Sequence, residues 1–235
     1  MTIATIKKPL ILGILFFLPV VFLLFLYPAQ HNYNPLDIVN ENIPELAGEI
    51  DLKEQITVLA FLGRDPMKNV TAASNLKELI YDKFMGFKKF QVVVVLPESI
   101  NDELDKLEDF KKELSRFKEL EYWRYYITDE DEVISIFDGL LSKTELKEDM
   151  STQHVFIVDK DRNQRGRLDD RTEYEKEKKK ELFGLYSYDC IEVSELKNKM
   201  SEDMRILFTE YRQKRKGNFN STTRRAEDLK QNEEN

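Results

Sequence analysis

The middle of the chain alternates between short apolar runs and longer segments whose apolar residues recur at helical spacing. The continuous runs at 56–62 (ITVLAFL) and 90–96 (FQVVVVL) predict strands, and the first run is typical of a strand buried on both faces. Aromatic residues at 122–127 and the run HVFIV at 154–158 predict two further strands. A turn at 159–164 and a short strand near 165–168 then predict a hairpin.

Helices are predicted between these strands. Apolar residues at three- and four-residue steps predict helices over 72–84 and 104–120 and a last amphipathic helix over 196–211. In the second helix, the apolar residues share one predicted face: Leu104, Leu107, Phe110, Leu114, Phe117 and Leu120. Thr128 followed by Asp131 predicts a capping box ahead of another helix. The resulting order β-α-β-α-β-α-β-β-α predicts a thioredoxin-like α/β sandwich, a central mixed sheet with helices on both faces.

The N-terminal segment is apolar throughout. Residues 9–27 carry no charge, and as a helix they would rise about 29 Å, close to the ~30 Å hydrocarbon core of a bilayer. Lys7 and Lys8 precede this stretch, so the positive-inside rule predicts a single-pass anchor in the inner membrane, with a cytoplasmic N-terminus and a periplasmic domain. The alternative is a cleaved signal peptide, although Tyr27 stands where a small residue is expected.

Four regions are predicted along the chain. Residues 1–30 form the membrane anchor, and residues 31–45, with two prolines and four asparagines, form a linker. Residues 46–212 form the thioredoxin-like domain. Residues 213–235 are almost entirely polar, which predicts a disordered tail because such a segment buries too little apolar surface to offset its ordering entropy.

Composition excludes several classes of function. The chain has 235 residues and a formal net charge of −8, which argues against a nucleic-acid partner because phosphate binding draws on clustered basic side chains. Cys190 is the one cysteine, so an intramolecular disulfide, a CxxC redox pair and a multi-cysteine metal site are excluded. Two histidines, His31 and His154, leave little for a histidine-rich metal site.

The predicted architecture resembles the Sco/SenC family, whose members are membrane-anchored copper chaperones and thiol proteins that serve cytochrome oxidase assembly. An anchor, a thioredoxin-like domain, an inserted helix after the second strand and the hairpin HVFIVDKDRNQRGRLDD carry the resemblance, which covers about residues 45–212. The stretch GLYSYDCIEVSELKNKMSEDMRILFTEYR is similar to the ends of membrane-anchored relatives in the Bacteroidetes.

The residues that this family uses for chemistry are absent from the matching positions. The resemblance implies a CxxxC loop after the first strand and a histidine before the late hairpin, since thiolates and imidazole suit Cu(I). Here the loop at 63–71 reads GRDPMKNVT, and the histidine position falls at or near Ser151 instead of at His154. No proline follows Pro97, so the proline that redox thioredoxins place before a late core strand is absent as well.

The candidate site is the loop after the first strand, and two interpretations of it stay open. Its residues Arg64, Asp65, Pro66, Met67 and Lys68 form a basic, proline-stiffened segment that suits either recognition of an acidic partner or a plain loop without a function. Cys190 and His154 are weaker candidates: a lone thiol beside Asp189 is not activated, and a histidine at a strand edge is more often structural.

These observations predict a membrane-tethered module without catalytic residues, metal or cofactor. We expect it to bind the bilayer through residues 9–27 and a protein of the cell envelope through its thioredoxin-like domain. The alternative is a residual Sco/SenC-like metal or thiol protein linked to oxidase assembly, working through Cys190, His154 or a thiol of its partner.

Overall fold

The computed structural model describes residues 3–26, 35–48, 50–116 and 118–216. The chain forms two compact units, Met1–Asn34 and Pro35–Asn235. The first unit contains helix α1, Ile3–Leu26, and all other elements belong to the second. The end of the predicted anchor at 27–30, the first residues of the predicted linker and positions 217–235 of the predicted tail lie outside the described residues.

The predicted localisation as a single-pass inner-membrane protein is wrong. Within the described part of the chain, no helix is both long enough and apolar enough to cross a membrane.

Seven strands form one mixed sheet in the second unit. They lie in the order β1-β6-β5-β2-β3-β4, and β7 pairs with β5 on the edge that faces away from β2. Strands β2, β3 and β4 are mutually parallel, whereas β5 runs antiparallel to β2 and continues into the β5–β6 hairpin. The strands are β1 (Asp37–Asn40), β2 (Ile56–Leu62), β3 (Phe90–Pro97), β4 (Trp123–Thr128), β5 (Ser151–Val158), β6 (Gln164–Gly166) and β7 (Tyr188–Asp189).

Helices cover both faces of this sheet. They are α2 (Val70–Leu76), α3 (Asp82–Phe84), α4 (Leu104–Ser115), α5 (Glu130–Asp138), α6 (Glu173–Glu177) and α7 (Ser201–Arg215). A 3₁₀ turn at Pro66–Asn69 precedes α2, and a π-helical segment at Lys77–Tyr81 joins α2 to α3. A second π-helical segment, Glu195–Met200, leads into α7.

The central strands β2 and β3 are buried along their whole length, as their continuous apolar runs predicted. Because side chains alternate across a strand, Val58 and Ala60 pack into one cluster with α2, α4 and α7. Leu59 and Phe61 pack into the opposite cluster with α5 and the segment that contains Ile43 and Leu52. This two-sided burial and the strand order define a thioredoxin-like α/β sandwich, so the predicted fold class is confirmed.

Several local predictions differ from the structure. The cap of α5 is Asp129, whose Oδ1 accepts the backbone N–H of Glu132 at 2.8 Å, and not Thr128, which is still the last residue of β4. Leu104 is exposed at the start of α4, although it shares the spacing of the buried residues that follow. The short strands β1 and β7 have no signal in the sequence, because each is held by a partner strand that lies far away along the chain.

Two buried ion clusters attach α7 to the β5–β6 hairpin. Arg165 on β6 pairs with Asp159 at 3.1 Å and with Glu210 on α7, and all three side chains are almost fully buried. One residue beyond β6, Arg167 makes a bidentate contact with Asp203 of α7, at 2.9 Å from Nε to Oδ2 and from Nη2 to Oδ1. Asp203 also accepts the hydroxyl of the buried Tyr188 at 2.7 Å.

We predict that Arg165→Ala lowers the free energy of unfolding by about 3–5 kcal/mol, because it leaves the buried Asp159 without its cation and leaves the buried Glu210 with only the partly exposed Lys214. Lys112→Ala is the matched control: its pair with Asp109 is exposed, and the loss should stay within about 0.5 kcal/mol. Urea denaturation of the two variants measures both values. Equal, small losses would show that the buried cluster does not hold α7.

Candidate functional site

The C-terminal end of β2 forms one surface with the segment that leads into β5. Leu62 pairs with Ser151 in the ladder, and the backbone N–H of Arg64 donates to the carbonyl of Asp149 at 2.9 Å. Gly63 lies in the left-handed region at φ +71°, and a Cβ at this position would be 2.3 Å from the Asp149 carbonyl oxygen. We call residues 63–69 and 149–151, with the side chains of Lys106 and Glu130 that contact them, the β2 edge.

Arg64 is bound within the protein. Its guanidinium pairs with Glu130 at 2.6 Å, and its Nη1 donates to the carbonyl of Glu148 at 3.0 Å. Glu130 is the first residue of α5, so this pair joins the loop after β2 to the start of a helix on the other face of the sheet. The positive charge expected to be available to a partner is therefore largely neutralised by the domain itself.

The remaining candidate residues of the loop have separate environments. Asp65 faces two lysines, Lys68 at 3.9 Å and Lys106 at 3.6 Å. Pro66 begins the 3₁₀ turn and is buried, and the half-buried Met67 packs against the core. The side chain of Lys68 is 71% exposed, which leaves its charge accessible to a partner.

Asn69 holds the turn in place. Its buried side-chain amide donates to the carbonyl of Leu62 at 3.0 Å, which closes the loop between the end of β2 and the start of α2. With Gly63 and Arg64 also tied to the 148–149 segment, three residues of the loop make fixed contacts. The β2 edge is consequently a pre-organised surface.

His154 and Cys190 are not brought together. His154 lies on β5, where its Nδ1 is 3.1 Å from the hydroxyl of Ser187. Because side chains alternate, His154 shares a face with Phe156, whereas Cys190 packs into the cluster on the other face. Ser151 stands at the β2 edge instead, and its hydroxyl donates to Asp149 at 2.7 Å.

The thiol of Cys190 is enclosed beneath α2. It borders a void of about 10 Å³ with Ala73, Leu76 and Trp123, a space no larger than a single water molecule needs. Burial raises the pKa of the Cys190 thiol, and the carboxylates of Asp189 and Glu195 raise it further. A neutral, buried thiol is a poor nucleophile and a poor metal ligand.

The donor atoms at the β2 edge do not fit copper. Carboxylates, a hydroxyl and lysine side chains surround the loop, and the soft donor is the thioether of Met67, which packs on the core. Among the described residues, no group of three or more His, Cys, Asp or Glu side chains is arranged to hold a metal ion.

Sequence reasoning missed three residues of this surface: Lys106, Glu130 and Asp149. Each comes from a different element and lies far from the loop along the chain, so no local spacing connects it with the loop. The acidic run at 129–132 is typical of the negative charge found at helix N-termini, and these residues do cap and begin α5, but this local pattern does not reveal the contact of Glu130 with Arg64.

Comparison with known proteins identifies similar structures and no sequence relatives. No protein-family model matches the sequence, and no curated protein is detectably similar to it. The solved structure of BsSco, a member of the Sco family of cytochrome c oxidase assembly proteins, is 13% identical, covers 74% of this chain and 98% of its own, and has a TM-score of 0.46.

Two other solved structures are similar over much of the domain. A SCO1/SenC family lipoprotein from Bacillus anthracis is 14% identical over 77% of this chain and 99% of its own, with a TM-score of 0.42. A mutant of peroxiredoxin 6 from Arenicola marina is 17% identical over 57% of this chain and 63% of its own, with a TM-score of 0.37. BsSco and the Bacillus anthracis lipoprotein belong to the family that the sequence resembles. The fold assignment itself rests on the strand order described above.

We predict that Gly63→Ala lowers the free energy of unfolding by about 2–4 kcal/mol, because the left-handed backbone and the nearby Asp149 carbonyl both oppose a methyl group. Gly86→Ala is the control, since no atom lies within 4 Å of a Cβ there. Thermal and urea unfolding of both variants give the comparison. A Gly63→Ala protein as stable as Gly86→Ala would refute the close approach of the two segments.

The raised pKa of the Cys190 thiol predicts that the free energy of unfolding falls at alkaline pH. In the unfolded chain Cys190 ionises near pH 8.5, while in the folded protein it stays protonated, so the stabilisation is complete below that pH and is lost as the pH rises. Urea denaturation at pH 7.5, 9 and 10 should show a decline of about 2 kcal/mol by pH 10, and Cys190→Ala should decline less. Parallel curves for the two proteins would contradict the buried, neutral thiol.

Proposed function

We propose that this protein is a non-catalytic thioredoxin-like module that binds a protein partner through the β2 edge. The proposal rests on the residues found at this edge. Redox thioredoxins hold a paired thiol here, at a helix N-terminus. This chain instead has the Arg64–Glu130 ion pair and the Asp65–Lys106 contact. These groups can make hydrogen bonds and ion pairs, but none of them is an activated nucleophile.

The charges of the β2 edge support a polar and specific interface. Arg64, Glu130, Lys68 and Lys106 keep partly or largely exposed side chains of both signs within one small area. Mixed charges of this kind contribute more to the choice and orientation of a partner than to raw affinity. The surface suits a partner segment that offers both carboxylates and basic groups. The loop sequence alone predicts a partner that is only acidic.

The fixed geometry of the edge also supports binding. The contacts of Gly63, Arg64 and Asn69 hold the loop without any ligand, so a partner would not have to order it. Pre-organisation of this kind reduces the entropic cost of association.

Among the described residues, the surroundings of Cys190 and His154 count against the alternative of a residual metal or thiol protein. That function would rest on Cys190, whose thiol is buried with a raised pKa, or on His154, which faces Ser187 on the other side of the sheet. A partner's own thiol would find no second thiol of this chain at the β2 edge.

Site-specific photo-crosslinking tests the proposal. A photoreactive phenylalanine analogue in place of Lys68 should produce a discrete crosslinked species with a protein in the cells of origin. The same analogue in place of Lys112, which is equally exposed at 73%, should produce none. Lys106→Glu, which reverses the charge beside Asp65, should lower the yield at position 68 at least fivefold without lowering the melting temperature by more than a few degrees.

Two results would contradict this proposal. Equal crosslinking from positions 68 and 112 would show that the β2 edge has no special role in binding. Steady reduction of insulin disulfides by the full-length protein, abolished by Cys190→Ser, would show that the module is catalytic.

A further inference from the structure

A second surface lies at the opposite end of the sheet from the β2 edge. It is a cleft of about 700 Å³ where β2 begins, bounded by the loop before β3, the turn after β5 and the end of α7. A volume in this range accommodates a ligand the size of several peptide residues. We call it the basic cleft; it presents Phe87, Lys88, Lys160, Arg212, Lys214 and Arg215.

Backbone hydrogen bonds hold the loops that form the walls of the cleft. The N–H of Glu54 donates to the carbonyl of Lys160 at 2.9 Å, and the N–H of Ile56 donates to the carbonyl of Lys89 at 2.7 Å. The third wall, α7, is attached to the hairpin through Glu210 and Arg165. The shape of the cleft is therefore set by the fold.

The charge of the cleft is opposite to that of the chain. Five basic side chains line it against two acidic ones, Glu54 and Asp161, in a protein of net charge −8. Within the described residues, Lys88, Arg212 and Arg215 form no ion pair, so their charges are not neutralised by the domain. Clustered, uncompensated cations of this kind attract an anionic ligand.

An exposed aromatic ring lies among these cations. Phe208 stacks between Phe84 and Phe87, with ring centroids 5.5 Å and 4.4 Å away, and Phe87 is the outermost ring at 43% exposure. Beside this stack, the ring of Tyr211 lies within 5.1 Å of Lys160 and 4.8 Å of Lys214. The cleft thus offers apolar area and positive charge side by side.

We propose that the basic cleft binds an acidic segment of a protein partner, with an aromatic or aliphatic side chain of that segment packed on Phe87 and its carboxylates paired with Lys88, Arg212 and Arg215. A nucleic acid fits less well, because the chain as a whole has a net charge of −8, and Glu54 and Asp161 in the cleft would repel a densely charged backbone. This binding surface is separate from the β2 edge and does not depend on the function proposed for it.

Fluorescence anisotropy with the full-length protein tests the proposal. The probe is a fluorescein-labelled hexapeptide, Glu-Asp-Phe-Glu-Asp-Glu, measured at about 50 and 200 mM salt to separate the ionic from the apolar contribution. Arg212→Glu with Arg215→Glu should weaken binding at least tenfold. Phe87→Ala should weaken it about fivefold at both salt concentrations, because the contact of this ring is not ionic.

The matched control reverses two lysines that lie outside the cleft, Lys112→Glu with Lys197→Glu, and changes the net charge by the same amount. Binding within twofold of the unmodified protein supports the proposal, provided that circular dichroism shows all variants folded. Absence of peptide binding, or an equal loss in the control, would overturn it. Tighter binding of a twelve-residue oligothymidylate or of tripolyphosphate, with the same dependence on Arg212 and Arg215, would also overturn it and assign the cleft to phosphate ligands.

Discussion

The attachment of α7 to the β5–β6 hairpin is the interaction that sets the shape of the basic cleft and holds the last helix against the sheet. Arg165 and Arg167 reach from the hairpin to Glu210 and Asp203, and these contacts keep the helix against the sheet. Ion pairs that are buried this deeply contribute less to stability than to the choice of one arrangement, because each charge is costly unless its partner is in place. The position of α7 in turn sets one wall of the basic cleft.

The strand β2 connects the two surfaces. The β2 edge lies after its last residue, and the basic cleft lies where it begins at Ile56. Both faces of this strand are buried, so it can shift very little relative to its neighbours. Partners bound at the two proposed surfaces would therefore be held in a defined geometry relative to each other.

The interpretation of the loop after β2 changed once the tertiary contacts were known. From the sequence, Arg64 and Lys68 were two free positive charges on one loop. In the structure Arg64 is paired with Glu130, whereas Lys68 stays exposed and Asp65 contacts Lys106. An ion pair between residues so distant along the chain leaves no trace in local spacing, and for this reason the sequence could identify the loop but not the charges that it presents.

Local periodicity by itself determined the central strands, the helices between them and the late hairpin, because burial on one or both faces imposes a repeat that can be recognised within a single segment. Tertiary structure decided what lies far apart in the sequence: the pairing of β1 and β7, the burial of Cys190, the contact of Arg64 with Glu130, and the basic cleft. These features arise where separate elements meet. Their chemistry depends on distances between side chains that no single segment encodes.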